Sequence, residues 1–299
     1  MSKKVFIFGI DGAPPELIFN RWKNELPNIK KLMEEGCYAE MESAIPPLTC
    51  SAWTSFSTGK SPGDHGLFEY VYRKNNNPNL LQVISSANIK HKTFWEKLSE
   101  KNKKSIIFGV PVTWPIKPFN GIMVTGFMTP GIDKEYTLPR ELKDELKEVL
   151  GKDYQIDIEG YRNLSKQELI TKVYEMTDMH FKTMKYLLKN KEWDLFFGVI
   201  IGSDRMNHNF WRFFDEMHRK YERNEFSNVL RDYYIYLDKN IGEIFSMLDK
   251  DTTILLVSDH GTVRMHNRVN LSDWLIKQGY LVLKNSITEK SKLTPDMID

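Results

Sequence analysis

Cysteine is scarce in this chain of 299 residues: Cys37 and Cys50 are the whole complement. Two are too few for a disulfide framework, so a reducing cytoplasm is the expected setting. Long apolar runs are missing too. No stretch approaches the ~18–20 residues that a membrane-spanning helix needs. The opening Met1-Ser2-Lys3-Lys4 leads directly into the short run Val5–Ile10, which is too brief for the core of a signal peptide. Charge is nearly balanced, with 42 Lys and Arg against 40 Asp and Glu and a formal net charge of +2. That excludes a general attraction to nucleic acid polymers or to a membrane surface, and any affinity for phosphate must be local. No G-x-G-x-x-G follows a strand-like run, so a dinucleotide cofactor has no support. Gly59-Lys60-Ser61 imitates the end of a P-loop. However, Thr54 stands where that loop needs its first glycine, and the tripeptide follows a helix instead of joining strand to helix. Internal repeats and low-complexity tracts are also absent; 75–79 reads as a short polar loop.

What remains is an ordinary globular composition, 41% hydrophobic and 27% charged, long enough for one large core or two smaller domains. Within it, three apolar, β-rich runs end on an aspartate. Val5–Ile10 delivers Asp11-Gly12. Leu195–Ile201 delivers Gly202-Ser203-Asp204, with His208 four residues on. Thr253–Ser258 delivers Asp259-His260-Gly261. Such runs, alternating with helical patterns, read as buried parallel strands, and ligands gather beyond the carboxyl ends of such strands. If the three strands are neighbours, three carboxylates and two imidazoles converge. Unpaired, that cluster would repel itself and be costly to desolvate; a pair of divalent cations would neutralise it. Each aspartate alone could be a turn former or helix cap. Asp204 and His208, at i and i+4, would share a helix face and could touch one ion, although such a pair is commonly a surface hydrogen bond.

Pro46-Pro47-Leu48-Thr49-Cys50-Ser51-Ala52-Trp53-Thr54 supplies a candidate for action on a substrate. The prolines force an extended approach, and the following stretch reads as a short helix ending at Gly59. Thr49 then sits at or near its start, where free N–H groups and the positive dipole end favour a phosphate. Its hydroxyl could act as a nucleophile once a metal lowers its pKa, or it could simply cap the helix. Cys50 is the rival nucleophile if the helix start lowers its pKa, and otherwise a small buried residue. Lys60 and Arg205 are the basic residues beside these motifs that could meet phosphate. Trp53, Phe68, Tyr70, Tyr72, Trp114, Phe210 and Trp211 gather near the expected mouth, where one or two could stack a flat leaving group while core packing accounts for the others.

The order of elements predicts one mostly parallel sheet with an insertion. Helices are expected near 15–22, 27–35 and 93–100, and strands near 37–42, 105–109 and 121–127. Between Tyr136 and about Asn190 the chain turns polar and helical, with amphipathic stretches at 138–149 and 165–188. Residues 1–127 and 191–299 are therefore read as the core, and 128–190 as a helical cap over the carboxyl edge.

Asp11-Gly12, Pro46-Pro47-Leu48-Thr49, Ala52-Trp53-Thr54, Thr58–Gly66, Asp204 with His208, and Ser258-Asp259-His260-Gly261 together resemble the type I phosphodiesterase/nucleotide pyrophosphatase branch of the alkaline phosphatase superfamily. Gly109–Pro115 with Asn120-Gly121 is similar to its prokaryotic members. The motifs run in the family's order over nearly the whole chain. The resemblance implies an alkaline-phosphatase-like, doubly wound α/β fold with helices on both faces. It further implies metal-dependent hydrolysis of phosphodiester or pyrophosphate bonds in small, nucleotide-like molecules, through a phosphothreonine formed at Thr49. Phosphomonoesterase and phosphomutase activities use the same ligands and stay open, as does a non-catalytic homologue that only binds metal or nucleotide. One ion would be held by Asp11, Thr49, Asp259 and His260, and the other by Asp204, His208 and a further histidine. Carboxylate and imidazole suit Zn²⁺ first, with Mn²⁺ or Mg²⁺ as alternatives.

Two departures from the family pattern stand out. The family's last histidine lies downstream of anything in this sequence, so a shortened chain or an incomplete second site is expected; His266 is the nearby candidate. Eukaryotic members place an asparagine shortly after the His-Gly that follows the nucleophile helix, where this chain has His65-Gly66-Leu67-Phe68-Glu69-Tyr70. Their substrate preference therefore does not carry over. The sequence argues against a formylglycine sulfatase, because Cys50 is followed by Ser51-Ala52-Trp53-Thr54, with neither the Pro nor the Arg of that motif.

Overall fold

The computed structural model describes residues 3–74, 77, 80–285 and 293–299, so most of the expected 75–79 loop lies outside the described residues. The chain runs through β1 (Val5–Ile10), a π-type turn at Glu16–Arg21, α1 (Pro27–Glu35), α2 (Thr49–Thr58) and α3 (Pro62–His65). A small antiparallel pair follows, β2 (Val71–Arg73) and β3 (Leu81–Val83), and then α4 (Phe94–Ser99), β4 (Ser105–Phe108), β5 (Gly121–Val124) and β6 (Thr137–Leu138). The second half holds α5 (Leu142–Leu150), α6 (Lys166–Asn190), β7 (Leu195–Ile200), α7 (Gly202–Phe214), α8 (Val229–Ser246), β8 (Thr253–Val257) and α9 (Leu271–Lys277). None of the described helices is long and apolar enough to cross a membrane.

Six strands form one sheet in the order β6-β5-β4-β7-β1-β8. All its pairings are parallel except β5 with β6. Alternation along β1 sorts its side chains between two cores. Phe6, Phe8 and Ile10 join a cluster with residues of α1, α6, α7 and α8. Ile7 joins Trp53 of α2 and Trp95 of α4 on the other face. Helices thus cover both faces, the doubly wound arrangement expected from the alternating pattern.

Helix α6 is part of that cover. Its start is fixed by a capping box in which Ser165 and Glu168 satisfy each other's backbone N–H groups. Its Phe181 ring stacks on Phe8 with centroids 5.9 Å apart. The half of the 128–190 segment that ends in α6 therefore lies against the sheet.

The strand expected near 37–42 does not form. Those residues are irregular and exposed, with Tyr38 51% and Met41 74% accessible. Ala39 and Met41 alternate with Glu40 and Glu42 as a half-buried strand would, but among the described residues no strand pairs with them and the sheet ends at β8. A side chain ties the segment instead, with Ser43 Oγ donating to the Asp259 carbonyl oxygen at 2.6 Å. Near the C-terminal end, the only pairing among the described residues is a single bridge between Leu283 and Ile298.

His180 of α6 is buried against the rings of Phe108 and Tyr154. Its Nε2–H donates to the Gln155 carbonyl oxygen at 2.8 Å, while Nδ1 has no partner. Burial pushes its pKa down to about 4. As pH falls below the ordinary value of 6.5, the unfolded chain takes up a proton that the native state refuses until about pH 4. Stability should therefore be lost across that window, by roughly 3 kcal/mol in total. Urea midpoints measured from pH 7 to 4.5 should fall, and His180→Gln should flatten the fall. Equal acid sensitivity in the variant would show that this imidazole is not its source.

Candidate metal centre

The order β7-β1-β8 sets the site. β1 and β7 pair from Val5 with Leu195 to Ile10 with Ile200, and β1 and β8 from Val5 with Thr253 to Gly9 with Val257. Asp11 and Asp259 leave adjacent strand ends at matching levels, and Asp204 arrives on the first turn of α7. Donor atoms of Asp11, Asp204 and His260 all lie within 4.8 Å of one another.

Asp11 is fully buried, and its Oδ2 accepts a hydrogen bond from Trp53 Nε1 at 2.8 Å. Trp53 follows Thr49 by four residues, so α2 presents both on one face. The Trp53 ring lies over Gly9, where a Cβ would come within 2.5 Å of it; this is why β1 has a glycine at that level. The other Asp11 oxygen faces Thr49 Oγ1 at 3.4 Å and His260 Nε2 at 3.9 Å. Thr49 Oγ1 is itself 3.2 Å from His260 Nε2. His260 Nδ1 donates to the Gly261 carbonyl oxygen at 3.0 Å, a tautomer that leaves Nε2 with a free lone pair.

Asp259 Oδ1 accepts from the Gly12 N–H at 3.0 Å. Its Oδ2 is buried without a hydrogen-bond partner, although His260 Nε2 lies 3.3 Å away. Gly12 has a left-handed φ of +69°, and a Cβ there would stand 3.2 Å from Asp204 Oδ1. Asp204 in turn holds His208 Nε2 at 3.3 Å through Oδ1 and Arg205 Nη1 at 2.7 Å through Oδ2.

The electrostatics follow from this placement. Burial, then the charges of Asp259 and Asp204, push the Asp11 carboxyl well above its usual range. Burial raises Asp259 to about 7 despite its backbone hydrogen bonds. Asp204 is also desolvated, but the His208 hydrogen bond and the charges of His208 and Arg205 outweigh burial and hold it below the ordinary value. The same hydrogen bond raises His208. Carboxylates forced toward protonation, with one orphaned oxygen and an imidazole lone pair turned inward, suit a hard or borderline divalent cation. Asp11 and His260 group with Asp204, and Thr49 Oγ1 and Asp259 Oδ2 approach the same imidazole at 3.2 and 3.3 Å.

Several expected participants fall elsewhere. His266 is exposed and outside the donor cluster. Lys60 lies beyond the far end of α2 from Thr49, about 15 Å along the helix, too far to share a phosphate. Arg205 is buried and already committed to Asp204 and Asp157. Cys50 packs with Leu67, Ile84 and Val112, and this burial raises its thiol to about 12, which disfavours a thiolate. His65 is likewise structural: its Nε2 bonds Ser55 Oγ at 2.9 Å and its Nδ1 accepts from the Leu67 N–H at 3.2 Å. Of the aromatic residues, Trp53, Phe210 and Trp211 are core, whereas Phe68 and Tyr72 are exposed. Tyr70 packs edge-on to Phe127 at 5.8 Å, and burial raises its phenol to about 12. Composition alone did not mark the residues that brace the site: Ser203 Oγ, on the Asp11 carbonyl oxygen at 2.6 Å, and Asn207 Nδ2, on the Gly12 carbonyl oxygen at 2.8 Å.

The family model for type I phosphodiesterase / nucleotide pyrophosphatase matches residues 5–295. The chain belongs to this family. No curated protein matches it in sequence. Among solved structures it is similar to phosphonoacetate hydrolase from Sinorhizobium meliloti bound to phosphonoformate, with a TM-score of 0.65 and 13% identity over 92% of this chain and 62% of that one. It is also similar to murine ectonucleotide pyrophosphatase/phosphodiesterase 5, in an inactive form bound to AMP, with a TM-score of 0.55 and 12% identity over 95% of this chain and 64% of the other. At such identities the likeness establishes the alkaline-phosphatase-like fold, and this family member spans less than two thirds of either structure.

Trp53 offers a test of the site independent of turnover. Trp53→Phe removes the N–H bonded to Asp11, together with the Cζ2 and Cη2 atoms that lie over Gly9. Titration of Zn²⁺ into the metal-free protein should show binding weakened by about 10-fold, the effect usual for groups that orient a ligand. Unchanged affinity would mean that Asp11 is not a ligand.

Proposed function

We propose that this protein is a metal-dependent hydrolase of phosphodiester or pyrophosphate bonds in small, nucleotide-like substrates, with Thr49 as its nucleophile. The observation that carries this reading is the placement of Thr49 Oγ1, 3.4 Å from Asp11 and 3.2 Å from His260, at the first residue of a helix whose cap residue Leu48 offers no side-chain acceptor. The leading N–H groups of α2 are then free to meet a phosphoryl oxygen where the helix dipole favours negative charge. Thr49 attacks phosphorus in line with the leaving oxygen, and water later releases the phosphothreonine. Asp11, Thr49, Asp259 and His260 would hold one divalent cation and Asp204 with His208 a second, Zn²⁺ first by donor type. When bound, such ions supply a lower pKa for the Thr49 hydroxyl and a counter-charge for the phosphoryl group.

The protein's own groups prepare that step. Trp53 and Ser203 fix Asp11 by its side chain and its carbonyl oxygen. Tyr70 stands as a wall beside Thr49, packed against Phe127. The 128–190 segment supplies β6 to the sheet and Tyr136, Leu142, Leu146 and Tyr154 to the main core; we propose that what it leaves over the carboxyl edge limits the size of the leaving group.

Hydrolysis of bis-nitrophenyl phosphate and nitrophenyl phosphate, with and without Zn²⁺ or Mn²⁺, tests the reading. Metal-dependent turnover of the diester is expected. Thr49→Ala should lower kcat by at least about 10³-fold while metal binding largely survives. Thr49→Ser should keep a measurable fraction, and Cys50→Ala most of the activity. Loss of turnover in Cys50→Ala with Thr49→Ala unaffected would replace this mechanism with a cysteine-based one.

A further inference from the structure

Arg205 occupies an unusual place for a cation next to a candidate metal ligand. Its side chain is 5% exposed, so water does little to solvate it, and the surrounding groups must. Nη1 donates to Asp204 Oδ2 at 2.7 Å. On the other side, Nε and Nη2 donate to the two oxygens of Asp157 at 3.0 and 2.6 Å, a two-pronged pairing. The guanidinium also lies over two rings, Phe127 at 4.9 Å and Tyr161 at 4.8 Å. The Phe127 backbone is fixed in turn, its carbonyl oxygen accepting from the Val112 N–H at 2.9 Å. Asp157 is flanked by Ile156 and Ile158, both buried in the main core, so the acid projects from an anchored stretch.

The consequence concerns Asp204. With Oδ2 taken by Arg205, Oδ1 is the oxygen that faces His208 at 3.3 Å and crowds Gly12. We propose that Arg205 is a positioning residue: it selects the single oxygen that Asp204 presents to the centre and ties that selection, through Asp157, to the 154–162 stretch of the proposed cap. This rests on the reading of Asp204 and His208 as ligands of one of two cations. A lysine cannot substitute, because a point charge lacks the planar fork that holds two carboxylates at once and stacks over rings. The arrangement also explains why Arg205 is not free to bind a phosphate.

The experiment has two readouts on Arg205→Lys, Asp157→Asn and the double variant. The first is hydrogen exchange of the metal-free proteins. Either single change should speed exchange in residues 154–162 and in the first turn of α7 by about 10-fold more than in β4 and β5, since an opened local contact raises local exchange above the global rate. The second is Zn²⁺ titration. Arg205→Lys should weaken one of the two ions by about 10-fold and leave the other unchanged, a selectivity that general loosening of the fold would not produce. The double variant should be no worse than Arg205→Lys alone, because both changes act through one contact. Unchanged exchange in both single variants, equal weakening of both ions, or additive effects would each overturn the proposal. If the parent binds no metal, the proposed function falls, and the exchange data still decide whether the latch exists. Should Arg205→Lys fail to fold, Asp157→Asn carries both measurements.

Discussion

The placement of β1 between β7 and β8 is the constraint from which the site follows. Parallel strands in register deliver their last residues to one edge, and here the residues beyond that edge are Asp11, Asp204 and Asp259. A sheet that brings three carboxylates into a buried corner works against its own electrostatics. Desolvation and mutual repulsion both favour the neutral acids. Such an arrangement is tolerated only where protons or cations remove the excess charge. The fold is the cause and the candidate metal centre its consequence.

Backbone groups around Gly12 carry much of the reinforcement. Its N–H binds Asp259, and its carbonyl oxygen accepts from both Asn207 Nδ2 and Thr262 Oγ1. The next N–H, of Ala13, is met by Ser258 Oγ at 3.0 Å. These contacts join the loops after β1 and β8 to the first turns of α7. A left-handed glycine at the centre lets the loop turn while keeping a Cβ away from Asp204.

Much of this was legible in the sequence, and the reasons are specific. The strands leading to Asp11 and Asp204 are nearly continuous apolar runs because both faces of β1 and β7 are buried, and such runs resist confusion with loops; β8, ahead of Asp259, is as apolar although it lies part-exposed at the sheet edge. The start of α2 at Thr49 was marked by the prolines before it and the small residues after it. Helix α8 is absent from the expected elements, although Leu230, Tyr233, Tyr234, Leu237, Ile241 and Ile244 follow a helical spacing on its buried face. The segment near 37–42 misled for the opposite reason: its alternation is real, but alternation does not supply a neighbouring strand. Arg205 could not be assigned, because its role depends on Asp157, 48 residues away in sequence, and no local pattern encodes such a pairing. The indole of Trp53 was half legible. Its spacing from Thr49 puts both on one helix face, yet only the sheet shows that Asp11 lies opposite.

The cluster is also uneven, and the unevenness bears on chemistry. Around Asp204 the negative charge already has partners, the Arg205 guanidinium and the His208 imidazole, and the carboxylate sits below its ordinary pKa. Around Asp11 and Asp259 the donors are neutral, an indole N–H and a backbone N–H, and both acids are driven upward. On the proposed reading, a cation would gain most beside Asp11 and Asp259, where the protein supplies the least counter-charge of its own. That is also where Thr49 Oγ1 stands. A hydroxyl becomes a nucleophile only if the charge it acquires on losing its proton is stabilised at once. Thr49 is thus placed beside the half of the site with the strongest demand for a cation, whereas the Asp204 half is already braced by the protein. The asymmetry of the carboxylates, set by which side chains each strand end happens to meet, favours assigning the nucleophile to the Asp11 half.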